Sequence, residues 1–225
     1  MPSKEQSVRA ISIGVGAATG LYGISFGALS VAAGLDLWQT MALSLLMFSG
    51  GSQFAFVGVV ATGGGLVPAI LSAWLLGIRN GFYAIRMSPI LSVGRWLRPV
   101  AAQLTIDESN AVSLSQEPDR QKERSGFWLT GVAVFVFWNL FTLAGALLGS
   151  QIGDPSDFGL DAAAAAAFLG LIWPRLTQSR LLMLAILSSL TATFLANYLP
   201  AGIPVLLTTL LAFAFWLFGL KGRRK

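Results

Sequence analysis

Phe48-Ser49-Gly50-Gly51-Ser52-Gln53-Phe54 interrupts a run, residues 41–60, that is otherwise apolar and long enough to cross a bilayer. Two adjacent glycines weaken a helix by roughly 1 kcal/mol each relative to alanine. Ser49, Ser52 and Gln53 place hydrogen-bonding groups where lipid supplies no partner, so they must face protein, water or a ligand. A polar, glycine-broken point inside a membrane segment is one way to build a substrate site, because freed N–H and C=O groups line a cavity. On that reading Ser49, Gly50, Gly51, Ser52, Gln53 and Phe54 are candidate substrate-binding residues. The plainer reading is a close helix–helix contact, which small residues permit.

The rest of the composition agrees with a membrane setting. Of 225 residues, 55% are hydrophobic and 11% charged, and the mean hydropathy is +0.70. Soluble domains carry about 25% charged residues. Apolar runs of about 20 residues recur, whereas barrel strands would alternate, so the chain reads as an all-α integral membrane protein. It reads as a single polytopic domain over residues 1–225, with a first half at about 10–116, a polar connector at 116–125 and a second half at about 126–220. The net charge of +5 comes from basic residues clustered at membrane edges, where they set orientation rather than bind nucleic acid. Cysteine and histidine are both absent, which removes disulfides, thiol chemistry, the usual general base and the usual metal ligand. No catalytic residue, metal or cofactor is expected. The apolar stretch after residue 9 outruns a signal peptide and reads as a retained first span.

In chain order about seven to eight membrane segments are expected. Span 1, about 11–33, carries Gly16/Gly20 and Gly23/Gly27 at four-residue spacing, a face suited to tight helix packing. Asp36 is placed to cap the next helix. Segment 2, about 37–60, holds the broken point. Span 3, about 66–85, contains Arg79, with Tyr83 one turn on along the same face. A charge at that depth costs at least a few kcal/mol unless it is paired or reaches water. Arg79 therefore either offers its fork of donors to a carboxylate or snorkels to the interface. Pro99 opens a helix to about residue 115 with Thr105, Asp107, Glu108, Ser109 and Asn110 in its middle. These groups either carry a proton or bind a substrate ammonium, or the helix is a solvated loop. Residues 117–124 read as a solvated connector. Span 4 follows at about 127–148, then Asp154, Asp157 and Asp161, a short segment 5 at 162–173, span 6 at about 181–199 and span 7 at about 205–220. Gly34-Leu35-Asp36 recurs as Gly159-Leu160-Asp161, hinting at an internal repeat of three segments.

Orientation poses a parity problem. Lysine and arginine place the N-terminus, residues 120–124, Arg175/Arg180 and the C-terminus on the cytoplasmic side, and the acidic 154–161 loop outside. Three full spans before residue 120 would put that basic run outside. Either segment 2 is a re-entrant hairpin bent at Gly50-Gly51, or residues 99–115 cross the membrane as an additional short span. The density of polar groups on 99–115 favours the second slightly, and both repairs leave two cytoplasmic termini.

Gly-Ser-Gln-Phe after a helix (within 48–54), Arg79-x-x-x-Tyr83 and Thr105-x-Asp107-Glu108-Ser109 together resemble the AzlC family, in order and spacing, across most of residues 10–220. That family comprises large subunits of branched-chain amino-acid exporters. The resemblance implies efflux of leucine, isoleucine, valine and methionine from the inner membrane, with a small membrane partner of the AzlD type and coupling to protons or another ion. Family members often carry histidine after the motif arginine, where this chain has Asn80. A zwitterion needs a cation for its carboxylate, an anion or carbonyls for its ammonium and an apolar wall. Arg79 suits the first, Asp107, Glu108, Ser109 or the backbone at Gly50-Gly51 the second, and Phe48, Phe54 and Phe56 the third. No phosphate-cradling loop is present for ATP, and a serine hydrolase lacks a base to activate Ser49 or Ser52. The remaining alternative is a passive channel or a structural subunit handling a different small solute.

Overall fold

The computed structural model describes residues 4–151, 169, 173, 176–200 and 202–221, with side chains from residue 8 to 215. The acidic 154–161 loop, the repeat tripeptide within it, segment 162–173 apart from Leu169 and Trp173, Arg175 and the basic residues 223–225 lie outside the described residues. The described chain is all-α: α1 (Lys4–Ala32), α2 (Leu37–Leu46), α3 (Gly50–Ala61), α4 (Leu66–Leu91), α5 (Arg98–Gln103), α6 (Asp107–Leu114), α7 (Arg120–Gly149), α8 (Ser179–Ala196) and α9 (Ile203–Lys221). Among these, α1 from Val8, α7 and α8 are long and apolar enough to cross a membrane, and α2, α3 and residues 203–215 of α9 are shorter apolar helices.

The scaffold is the α1–α7 pair. Gly16 lies against Ala133, Gly20 against Phe137, Gly23 against Trp138 and Thr142, and Gly27 against Thr142 and Ala146. The Ser12 and Thr130 hydroxyls meet at 2.9 Å. Residue numbers rise together along both helices, so the two run parallel. A Cβ at Gly27 would sit 2.1 Å from the Thr142 carbonyl oxygen, and one at Gly145 2.1 Å from that of Ile24. The two glycine pairs of α1 therefore pack as predicted, and Gly145/Gly149 of α7 form an answering pair that the sequence reading did not single out. The parallel pair defines a near end, where both helices start, and a far end, where both finish.

Measured against that pair, α4 ends at the near end: the Ile90 carbonyl accepts from Arg124 Nε at 2.7 Å. A 26-residue helix is about 39 Å long, so α4 begins at the far end. The turn at 62–65 joins it to α3, which packs antiparallel to it, with Ser52 facing Gly77. α3 thus runs from mid-depth to the far end. α2 starts at the far end, after a four-residue turn from α1, where Asp36 and Gln39 form a reciprocal capping box at 2.8 and 2.9 Å. The α2–α3 segment therefore enters from the far end, turns at 47–49 beside Phe135 and Trp138, and returns. Gln53 Nε2 donates to the Leu43 carbonyl at 3.0 Å; in a straight helix ten residues would separate them by about 15 Å. This is the folded-back alternative for segment 2, with the bend just before the glycines rather than on them. Gly50 and Gly51 open α3, and the Trp138 ring lies 3.0 Å from where a Cβ of Gly50 would be.

Residues 99–115 do not cross; this corrects the favoured expectation. Pro99 does open α5, which rises from the near end alongside α4, with Arg98, Ala101, Ala102 and Thr105 in a crevice with Ala84, Met87 and Leu91. Leu104 packs on Gly131 of α7. α6 then descends along α7, Val112 and Ser113 against Gly126, and the Ser113 hydroxyl donates to the Glu123 carbonyl at 2.8 Å. The reversal is held by Ser109. Its wholly buried hydroxyl accepts from Ile106 N–H at 3.1 Å and donates to the Leu104 carbonyl at 2.6 Å. Two hairpins thus enter from opposite ends and meet at mid-depth. Only α1 and α4 traverse the pair's length before α7, so residue 120 returns to the end where α1 starts. The connector is also shorter than expected: α7 begins at Arg120, and Glu123, read as solvated, is 4% exposed under α6.

Candidate functional site

Between the two turns lies a cavity of about 400 Å³, within the usual range for small-molecule sites of roughly 300–1,000 Å³. The first hairpin contributes Phe48, Ser49, Gly50, Gly51 and Phe54, and the second Ile106, Asp107 and Glu108. Arg79 enters from α4, Thr19 and Tyr22 from α1, and Val134 and Trp138 from α7.

One wall is the start of α3. The N–H groups of a helix's first turn have no intrahelical acceptor, and the side chain of Ser49, the N-cap residue, does not cap them. The Ser52 hydroxyl donates to Ser49 Oγ at 3.2 Å instead. This wall offers donors and the positive end of a helix dipole. An aromatic side lies next to it: Phe26 stacks on Trp138 with centroids 6.0 Å apart, and Phe54 meets both edge-on at 5.7 and 6.2 Å.

The opposite wall carries charge. Arg79 Nη2 lies 2.7 Å from Asp107 Oδ2, and the Tyr83 hydroxyl donates to Asp107 Oδ1 at 2.7 Å. Arg79 is therefore not a snorkelling surface cation; it is paired across the gap between α4 and α6, the two side chains only 28% and 20% exposed. Glu108, next on the first turn of α6, lines the cavity with Thr19 and makes no ion pair among the described residues. This wall carries one cation and two carboxyl groups, and the cation is paired with Asp107.

Seven of the predicted residues meet at the cavity: Ser49, Gly50, Gly51, Phe54, Arg79, Asp107 and Glu108. The other four sit behind it. Ser52 turns toward Gly77, Gln53 is wholly buried holding α2 carbonyls, Tyr83 bonds Asp107, and Ser109 closes the α5–α6 turn. Phe56 lines a side groove with Asn80, so neither that apolar wall nor the position of the histidine departure is in the cavity. The backbone freed at Gly50-Gly51 presents N–H donors at the start of α3, and Arg79 Nη2 is paired with Asp107 while its Nε has no partner among the described residues. Thr19, Tyr22, Ile106, Val134 and Trp138 were not singled out as site residues. The only signals in the sequence were a tyrosine and a tryptophan inside otherwise apolar spans.

Residues 14–152 match the AzlC protein family, a stretch that contains every residue lining the cavity. The chain is similar to an uncharacterized membrane protein in each of two strains of Helicobacter pylori, 24% identical over 150 residues in both. The matched stretch is 66% of this chain, which spans about 65% of the length of those relatives. No solved structure matches. With 139 of its residues, well over half, inside the family match, the chain belongs to the AzlC family of membrane proteins.

Proposed function

We propose that this chain is a secondary transporter that exports branched-chain or other apolar amino acids, acting with a small AzlD-type membrane subunit in the inner membrane, its termini cytoplasmic. The observation that carries the proposal is the polarity of the cavity. A zwitterion's carboxylate fits the first turn of α3, where Gly50 and Gly51 offer N–H groups. Its ammonium fits the acidic wall at Glu108, the carboxyl that Arg79 does not pair. Its apolar side chain fits against Phe48, Phe54 and Trp138. Arg79 holds Asp107 in place, so its contribution is to position the acidic wall. The site binds and does not catalyse on this reading: Ser52 is tied to Ser49, and the chain has no histidine to activate either hydroxyl.

Cells preloaded with labelled leucine and valine, expressing the chain with and without the small subunit, test this. Efflux above the empty-vector level that needs both subunits and collapses with a protonophore or with loss of the sodium gradient supports the proposal. Efflux only down the substrate gradient, indifferent to both, supports the passive-channel alternative. No efflux with both subunits in the membrane overturns the proposal.

A further inference from the structure

Five oxygens near the first turn have no hydrogen-bond partner among the described residues: Thr40 Oγ1, Ser44 Oγ, Gln53 Oε1, Asn139 Oδ1 and Thr142 Oγ1, each sealed from solvent. Thr40 and Ser44 are wholly buried and stand one turn apart on one face of α2. Gln53 reaches the same place from α3, because its Nε2 donates to the Leu43 and Ser44 carbonyls at 3.0 and 3.4 Å. The α7 residues arrive by register. Phe48 packs on Phe135 with ring centroids 5.0 Å apart, and α2 and α7 are packed neighbours. From that contact toward the far end, α2 runs down in number and α7 runs up. By that register Asn139 stands level with Ser44 one turn along, and Thr142, whose Oγ1 also borders Gly23 of α1, stands level with Thr40 a second turn along.

Both amides show the same half-use. The Gln53 NH₂ is taken by α2 carbonyls and the Asn139 NH₂ by the Phe135 carbonyl at 2.8 Å, which leaves two carbonyl oxygens over. An orphaned buried acceptor costs about 1–3 kcal/mol, and a bound cation satisfies several acceptors together. No lysine or arginine occurs in α2, in α3 or in residues 125–149 of α7 to fill that role. The location also favours positive charge, since the last turn of α2 presents the negative end of its dipole. The set holds no carboxylate, which suits a singly charged hard ion rather than calcium or magnesium.

We propose that Thr40, Ser44, Gln53, Asn139 and Thr142 form a binding site for a monovalent alkali cation at the junction of α2, α3 and α7. The site goes beyond the export reading and does not depend on it. Gln53 sits on the first turn of α3, the turn that lines the cavity, so an ion on its Oε1 would fix the α2–α3 bend next to the substrate carboxylate.

The test is thermal unfolding of the purified full chain in detergent, in sodium, potassium and choline chloride at equal ionic strength. A saturable rise in Tm with sodium or potassium over choline is expected, and the more effective of the two names the ion. The Thr40→Val/Ser44→Ala double variant should lose the rise while its Tm in choline equals or exceeds that of wild type, because orphaned hydroxyls are gone. Asn139→Leu, which leaves α2 untouched, should raise the cation midpoint at least tenfold. A wild-type Tm equal in all three salts, a cation-dependent rise that survives in the double variant, or an unchanged midpoint in Asn139→Leu overturns the proposal; the wild-type comparison decides even where a variant fails to fold.

Discussion

In α2–α3 the chain reverses on an amide, Gln53, which covers the last carbonyls of α2; in α5–α6 it reverses on a hydroxyl, Ser109, which bridges Leu104 and Ile106. The first hairpin holds no ionisable residue over 37–61, and the second places Asp107 and Glu108 on its first helical turn after the bend. The backbone device is shared and the electrostatics differ. At one turn the bare start of α3 is the polar feature; at the other, two carboxyl groups stand on the first helical turn. The comparison teaches that a cavity can be given two ends of opposite character by decorating only one of two similar bends.

The comparison can be broken at its common support. Both hairpins lean on α7, so Gly145→Leu, which drives side-chain atoms into Ile24, should leave no folded protein after detergent extraction. Gly58→Ala, where an added Cβ meets open space inside α3, should leave yield unchanged and raise Tm slightly, because alanine is the better helix former. A narrower cut separates the two bends. Ser109→Ala strips the hydroxyl from two buried backbone groups and should cost about 2–3 kcal/mol, read as a fall in Tm. Ser49→Ala, whose side chain caps no backbone group and accepts only the Ser52 hydroxyl, should cost less, about 1 kcal/mol. The charges are isolated next. Arg79→Met leaves Asp107 without its cation and should cost on the order of 2 kcal/mol, reduced from a fully buried case by the pair's partial exposure. Arg79→Met/Asp107→Leu should recover most of that Tm, and neither variant should export. Recovered export in the double variant would detach the acidic wall from transport.

The smallest effect lies at the near end. Asp119 caps α7, and its hydrogen bonds to the Lys122 side chain and N–H hold its carboxyl below the usual aspartate range. A depressed pKa contributes stability above the unfolded value and loses it as pH falls through the folded one. Asp119→Asn should therefore lower Tm slightly at neutral pH and flatten the acid limb of the Tm profile, with no change in cavity-dependent behaviour.

Much of this was legible in the sequence, for identifiable reasons. Glycines four apart on α1 announce a close contact because only they admit a backbone at that distance, and Asp36 with Gln39 announces a helix start. Arg79, Asp107 and Glu108 stand out because charge in an apolar segment demands an explanation. Chain direction was not legible. Apolar residues report burial in lipid or protein without saying which way a helix points, and residues 99–115 are about as long as a short span. The reversal there rests on one hydroxyl reaching a carbonyl five residues back, a bond that Thr105-Ile106-Asp107-Glu108-Ser109 does not advertise. Glu123 looked solvated because its neighbours are charged, yet α6 covers it. Thr19, Tyr22 and Trp138 face the cavity because the α1–α7 packing rotates them there, which no local pattern records.

Two bends that enter from opposite ends also set an electrical geometry. Wherever water follows each hairpin inward, the insulating thickness shrinks to the layer between residues 47–49 and 104–106. The membrane voltage then falls mostly across that layer, and a unit charge crossing it does work of about 2.3 kcal/mol per 100 mV. On the proposed export, a zwitterion passing whole carries no net charge through this field, whereas an accompanying ion would carry one, so the voltage dependence of efflux would count the ions that travel with each substrate.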